Sequence, residues 1–182
     1  MPSEVIFQRL ALMAEFARRA RLGRTAIMKL CFFLQESKEV PLGYQFSLYS
    51  YGPFDSDVLA DISTAERLSV VKSSIVYYPS GTGYEYTLGP DAGSVDKLAS
   101  DFLEKYKGSI DWALTHFGKK TAGELELLST ILFIAKFHNP KTVAILIEQV
   151  VLIKPHFTRE QIQKGFDYLV SLNVLRTEPV HQ

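Results

Sequence analysis

The sequence predicts an α+β, mostly helical protein: a winged-helix-like N-terminal unit followed by a helical unit resembling a second helix-turn-helix. Three observations carry that expectation. Apolar residues recur at helical spacing through three segments before residue 68, and again through most of residues 91–172. Two alternating stretches, Leu68 to Tyr78 and Tyr84 to Leu88, flank Pro79-Ser80-Gly81-Thr82-Gly83, whose residues suit a hairpin turn. Three helices and then a hairpin is the order of a winged helix, here with a long second connection. The expected divisions are a winged-helix-like unit over 1–90, a helical connector over 91–120, and a C-terminal helical unit over 121–182 packed on the first.

The elements follow from local signals. The first helix is expected over 3–19, with Ser3 as cap and a stripe of Ile6, Leu10, Met13 and Ala17. Gly23 punctuates the chain before a second helix over 25–37, whose buried face holds Ile27, Leu30, Cys31 and Leu34. Residues 44–49 alternate loosely and read as extended. Gly52-Pro53 makes a turn, and Asp55 or Ser56 caps a third helix carrying Val58, Leu59 and Ile62. In the connector, Val95, Leu98, Phe102 and Tyr106 mark one amphipathic helix. Ile110, Ala113, Leu114 and Phe117 mark a shorter one, closed by Gly118.

The last third opens on Thr121-Ala122-Gly123-Glu124, a capping-box spacing, and continues through Leu125, Leu128, Leu132 and Ala135. Asn139-Pro140 reads as a cap before a first-turn proline. Val143, Leu146, Ile147 and Val150 stripe the next helix, which Pro155 stops. Thr158-Arg159-Glu160-Gln161 is a second capping box, leading a helix that buries Ile162, Phe166, Leu169 and Val170. Asn173 to Arg176 is expected to turn out into a strand.

Composition excludes whole classes of function. The chain has 182 residues, 47% apolar and 22% charged, so it is neither disordered nor collagen-like. Net charge is zero, which argues against bulk coating of nucleic acid. The charge is unevenly placed: residues 1–40 carry +3 and residues 41–90 carry −3. A single cysteine, Cys31, supplies neither an internal disulfide nor a zinc site. No membrane-length apolar run and no signal-peptide pattern stand out, so a cytoplasmic protein is expected.

Candidate chemistry is sparse. His116, His138, His156 and His181 form no short-spaced metal pair and read as surface or capping residues. Cys31 sits on an apolar face and reads as core. Ser80-Gly81-Thr82-Gly83 lacks the ending of a phosphate-binding loop and reads as a hairpin tip. Asp55, Asp57 and Asp61 lack the glycine and terminal glutamate of a calcium loop and read as helix-start acids. The sharpest polar signal is Arg18, Arg19, Arg21 and Arg24, around the junction of the first two helices. There, helix N–H groups and basic side chains together attract phosphate or an acidic partner. The third helix offers Asp55, Asp57, Asp61 and Glu66 against only Arg67, a poor composition for reading a major groove.

Gly23-Arg24-Thr25-Ala26-Ile27-Met28-Lys29-Leu30-Cys31-Phe32-Phe33-Leu34, then Tyr44-Gln45-Phe46, then Tyr51-Gly52-Pro53-Phe54, resembles the start of YwgA-like proteins. More distantly it is similar to the Panacea domain of SocA-type antitoxins. Both pair a basic-then-Lys-Leu helix with an aromatic stretch and a Tyr-Gly-Pro turn. Leu125 to Ile131 also resembles a late helix of the YwgA-like pattern. The resemblance covers most of residues 20–90 and this later block. The YwgA-like resemblance implies a prokaryotic winged-helix-type protein without an assigned activity; the Panacea resemblance implies a chain that neutralises or adapts a partner protein. Leu48-Tyr49-Ser50 stands where a tryptophan is common in the latter.

Two functions are therefore expected, both non-enzymatic and without cofactor or metal. One is a winged-helix regulator using Arg18, Arg19, Arg21 and Arg24 on duplex DNA phosphate or an acidic partner. The other is a protein-binding adaptor using aromatics near Tyr49, Tyr51 and Phe54. Gly52 and Pro53 are expected to shape a turn that orients the third helix on the second, with the Tyr51 ring buried. A homo-oligomer is compatible with either function.

Overall fold

The computed structural model describes residues 2–78 and 81–176. The expected hairpin tip at Pro79-Ser80 and the tail holding His181 lie outside the described residues. The observed class is α+β and mostly helical, with two small antiparallel sheets. The chain forms two compact units, each discontinuous in sequence. The first comprises Met1–Phe46 and Asp55–Thr121, and the second Ser47–Phe54 and Ala122–Gln182. Among the described residues no helix is long and apolar enough to cross a membrane.

In the first unit, α1 (Pro2–Arg19) packs on α3 (Ser56–Arg67), α4 (Ala92–Leu98) and α5 (Ser100–Phe117). Its core residues are Leu10, Leu12, Met13 and Phe16. Ser3 lies inside α1 rather than capping it, and Ile6 is exposed because the buried stripe begins a turn later. In α2 (Arg24–Lys38), every residue from Ile27 to Leu34 is buried, Lys29 included. Phe33 stacks on Phe117 with ring centroids 3.9 Å apart. Asp55 caps α3, its carboxylate accepting from the Asp57 N–H at 2.9 Å.

Strands β3 (Val71–Tyr78) and β4 (Gly81–Leu88) pair antiparallel from Val71↔Leu88 to Tyr78↔Gly81. Residues 68–70, expected in the strand, instead close α3. Leu22, between α1 and α2, bridges Tyr86, whose N–H donates to the Leu22 carbonyl at 3.1 Å. The close approach explains Gly23, where a Cβ would sit 2.9 Å from the Tyr84 carbonyl oxygen. Residues 91–120, expected as a connector, pack on α1 and α2 within this unit. The helix break falls at Ala99, not between Tyr106 and Ile110, and leaves Leu98 exposed.

The second unit begins with a hairpin that only half registers in the sequence. Strands β1 (Ser47–Tyr49) and β2 (Gly52–Phe54) pair around the two-residue turn Ser50-Tyr51. β2 packs on α6 (Ala122–Phe133), whose residues Leu125 to Phe133 are all buried. A π-helical turn, Ile134–His138, follows and ends at Asn139 in the left-handed region, φ 47°. Asn139 therefore terminates a helix and does not start one, since Asn tolerates that conformation. The cap of α7 (Val143–Ile153) is Thr142, accepting from the Ile145 N–H at 3.2 Å. α7 ends before Pro155, and α8 (Arg159–Ser171) packs on α6 and α7. Asn173 to Arg176 forms no strand. Its Asn173 takes φ 57°, and the Val174 and Leu175 N–H groups fold back onto the Leu169 carbonyl.

The start of α8 is a full capping box. Thr158 Oγ1 accepts from the Gln161 N–H at 3.2 Å, and Gln161 Oε1 accepts from the Thr158 N–H at 2.8 Å. Thr158→Ala is expected to lower stability by about 1 kcal/mol. Urea titration checks this, and an unchanged midpoint would remove the cap from the account of α8.

Candidate functional site

The four arginines do not form one free basic patch. Arg18 pairs with Glu15, and with Asp96 at 2.5 Å. Arg19 pairs with Asp111 at 2.5 Å and approaches Glu15 at 3.5 Å. It also borders a cleft of about 290 Å³ whose rim carries Glu15, Glu104 and Lys107. Arg24 opens α2, donates from Nε to the Tyr86 hydroxyl at 2.9 Å, and lies 4.3 Å over the Tyr84 ring. That hydroxyl holds its guanidinium pKa up. Arg21 is exposed. Three of the four cations thus have partners within their own unit, and carboxylates balance two of them. On α3 the exposed residues are Ser56, Asp57, Ala60, Ser63 and Arg67, which give phosphate no positive face.

The Tyr-Gly-Pro segment groups with the second unit, whereas α2 and α3 belong to the first. Gly52 has φ 87°, and a Cβ there would stand 3.1 Å from both Ser129 Oγ and Thr130 Oγ1 of α6. Only glycine meets both demands. Pro53 is buried, and the Tyr49 and Phe54 rings lie 5.3 Å apart. Tyr49 and Tyr51 are 62% and 74% exposed. Tyr51 occupies the hairpin turn, so its ring is not buried as expected.

Lys154 fastens this hairpin. It is buried, and its Nζ donates to the carbonyls of Tyr49, at 3.3 Å, and Ser50. Its charge is balanced by Glu126 Oε1 at 2.8 Å, and His156 Nε2 lies 3.5 Å from the same oxygen. An ammonium this far from water needs such partners, because desolvation disfavours the unpaired charge.

A second buried network ties the first unit. Arg9 donates from Nε to the Leu42 carbonyl at 2.7 Å, pairs with Asp61 at 3.3 Å, and lies 4.1 Å over the Tyr44 ring. The Tyr44 hydroxyl donates to Asp61 at 2.8 Å. Asp61 is therefore no helix-start acid: it occupies the inward stripe of α3 with Val58, Ile62 and Ala65. Burial raises its pKa, outweighing the downward pull of Tyr44 and Arg9. Burial likewise raises the Cys31 thiol, which is wholly enclosed, so the sulfur stays protonated and inert. Among the described residues no group of three or more His, Cys, Asp or Glu side chains could hold a metal ion.

The β3–β4 hairpin carries what the sequence reading missed. On one face, Val71 and Tyr86 near the base are buried. Farther out on that same face, Ile75, Tyr77 and Tyr84 are 57%, 80% and 41% exposed. The period-2 pattern was legible, but it marks an inward face that continues past the body it covers. No protein-family model matches the chain, and no curated protein shows significant similarity to it.

Two outcomes test the buried charges. Lys154→Met leaves Glu126 enclosed without its cation and is expected to cost about 3–5 kcal/mol, most of it recovered in Lys154→Met/Glu126→Gln. A single variant as stable as wild type by urea unfolding would refute the anchoring role. For Asp61, the folded pKa is raised above its ordinary 3.8, so the folded state binds the proton more tightly. Its favourable contribution is then full below that value and is lost as pH rises through the folded pKa. The stability of wild type minus that of Asp61→Asn should fall with rising pH over that window, and a rise would contradict the assignment.

Proposed function

We propose that this protein is a non-enzymatic, protein-binding adaptor that presents the β3–β4 hairpin to a partner protein. The observation that carries the reading is the apolar outer part of one hairpin face, with Tyr77 80% exposed. Isolated exposed apolar residues are ordinary, but Ile75, Tyr77 and Tyr84 adjoin one another across the ladder. Ile75 is directly opposite Tyr84, and Tyr77 is the next residue on that face. Aromatic residues of this kind supply large contact area at low entropic cost, which is how hot spots are built.

The order α1, Leu22 bridge, α2, α3, β3, β4 supports a winged-helix-type scaffold for the first unit. That order also favours a second reading, a regulator bound to duplex DNA phosphates, with Arg21 and Arg24 exposed beside α2. The acid-balanced Arg18 and Arg19 and the weakly charged α3 favour the adaptor.

One experiment separates the two. A photo-crosslinking amino acid at Tyr77 is expected to give a discrete heavier adduct in native cells. The same probe at exposed Glu104 should not, and excess wild-type protein should compete where Tyr77→Ser does not. Mixed duplex DNA titrated at low salt should show no saturable binding. Equal adducts at both positions, or DNA binding with a log–log salt slope of several times −0.9 that flattens on replacing the four arginines with alanine, would overturn the adaptor in favour of the regulator.

A further inference from the structure

Strands β3 and β4 have two outer edges, and the two differ. The Tyr86 N–H points away from β3, to the Leu22 carbonyl, whereas the Gly89 N–H points toward the other strand, to the Val70 carbonyl. Hydrogen-bonded and non-hydrogen-bonded pairs alternate along an antiparallel ladder. Both observations fix the same alternation. Lys72↔Thr87, Ser74↔Glu85 and Val76↔Gly83 are the hydrogen-bonded pairs; Ser73↔Tyr86, Ile75↔Tyr84 and Tyr77↔Thr82 are not. On β3 the N–H and C=O groups of Ser73, Ile75 and Tyr77 therefore point outward, away from β4.

The β4 edge is closed at its base by the Leu22 bridge and by the backbone of Gly23 beside the Tyr84 carbonyl. The β3 edge has no such neighbour. Ser73 is tied to α3, its hydroxyl donating to Glu66. Farther out, the outward N–H and C=O groups of Ile75 and Tyr77 have no hydrogen-bond partner among the described residues. Proteins usually blunt such an edge with proline, a bulge, short length or charge. β3 is eight residues long, pairs without a bulge, and contains neither proline nor glycine. Its single charge is Lys72.

We propose that the free edge of β3 binds an extended segment of the partner protein, which adds as a further strand beside Ser73 to Tyr77 and brings a carboxylate to Lys72. The inference rests on the adaptor reading and names what the partner offers. Outward N–H and C=O groups on alternate residues are matched by extended backbone, and not by a helix, whose own groups are spent internally. Side chains of an added strand alternate between the two faces. On one face they meet Ile75 and Tyr77, which favour apolar neighbours, and on the other they meet Lys72. Lys72 decides between a partner and a second copy. It is exposed, faces Thr87 across the ladder, and has no ion pair among the described residues. β3 contains no acidic residue, so β3 of a second copy answers that charge in no register. A segment with Asp or Glu beside Lys72 does.

The test uses the full chain. In the free protein, amide hydrogen exchange followed by NMR should be faster at Ile75 and Tyr77 than at Ser74 and Val76. Equal protection of the four would overturn the edge. Peptides are then selected on the immobilised chain from a random decapeptide library displayed on phage, and measured singly by fluorescence anisotropy. They are expected to alternate apolar and polar residues, to carry Asp or Glu on the polar side, and to slow exchange at Ile75 and Tyr77. Ile75→Pro removes an outward N–H that the hairpin does not use, and should weaken binding about tenfold more than Ile75→Ala. Lys72→Glu should weaken it comparably, and a peptide with its acid changed to lysine should restore it. A selection that yields no peptide, or peptides held equally by Ile75→Pro and Ile75→Ala, would overturn the proposal. So would protection of Ile75 and Tyr77 that grows with protein concentration alone, since a second copy would then hold the edge. The adaptor reading is judged apart. A Tyr77 adduct in native cells that persists in Ile75→Pro sinks the added strand and leaves the adaptor, whereas no adduct in wild type sinks the adaptor itself.

Discussion

The buried ammonium of Lys154 is the constraint on which the second unit is built. Its Nζ reaches carbonyls 104 and 105 residues earlier in the chain. Neither the short β1–β2 hairpin nor the end of α7 could hold that geometry alone. The hairpin supplies two acceptors, α6 supplies the balancing carboxylate, and Gly52 removes the Cβ that would push the strand off Ser129 and Thr130. Two-stranded hairpins are marginal in water by themselves. Here the partner surface and the buried cation together make an eight-residue excursion of the chain into a fixed structural part.

The first unit uses charge similarly but in two grades. Arg9 and Asp61 form a shielded pair that joins α1, α3 and the loop at Leu42 through Tyr44. Arg18 and Arg19 form half-exposed pairs that join α1 to Asp96 and Asp111. Pairs of the second kind contribute little stability each, because water screens them. Their consequence is electrostatic: an apparently basic N-terminal segment presents much less positive field than its composition implies. In the proposed adaptor, recognition then falls to apolar contacts at the β3–β4 face.

What was legible in the sequence was local. The Thr158 box, the Asp55 cap, the stop at Pro155 and the stripe of α2 all depend on residues within one or two turns. The pairing of β2 with α6 was not legible, because nothing near Gly52 names a helix seventy residues on. Asn139 was misread because Asn serves both helix ends, and the residue that decides, Thr142, lies three positions later. Asp61 carried a usable signal. It falls at i+3 from Val58 and one before Ile62, on the apolar stripe, where an acid is either misplaced or paired. Glu126 within the apolar run of α6 is the same signal. Of the candidate site, the aromatic residues were visible as residues, but their exposure depends on where the body beneath the hairpin ends.

The division of the second unit between distant segments governs the order in which it can assemble. As the chain is synthesised, β1 and β2 emerge long before α6, and Lys154 emerges last of the three. Until then the hairpin that contains Tyr49 and Tyr51 has no α6 surface to lie on. Closing a loop of about a hundred residues must precede the reward of the Lys154 contacts, so this step is intrinsically slower than the local helix formation around it. A fragment spanning residues 122–182 alone would have the buried cation without its two carbonyls. The unit is thus a product of the whole chain's folding, and not a module that can be cut out along the sequence.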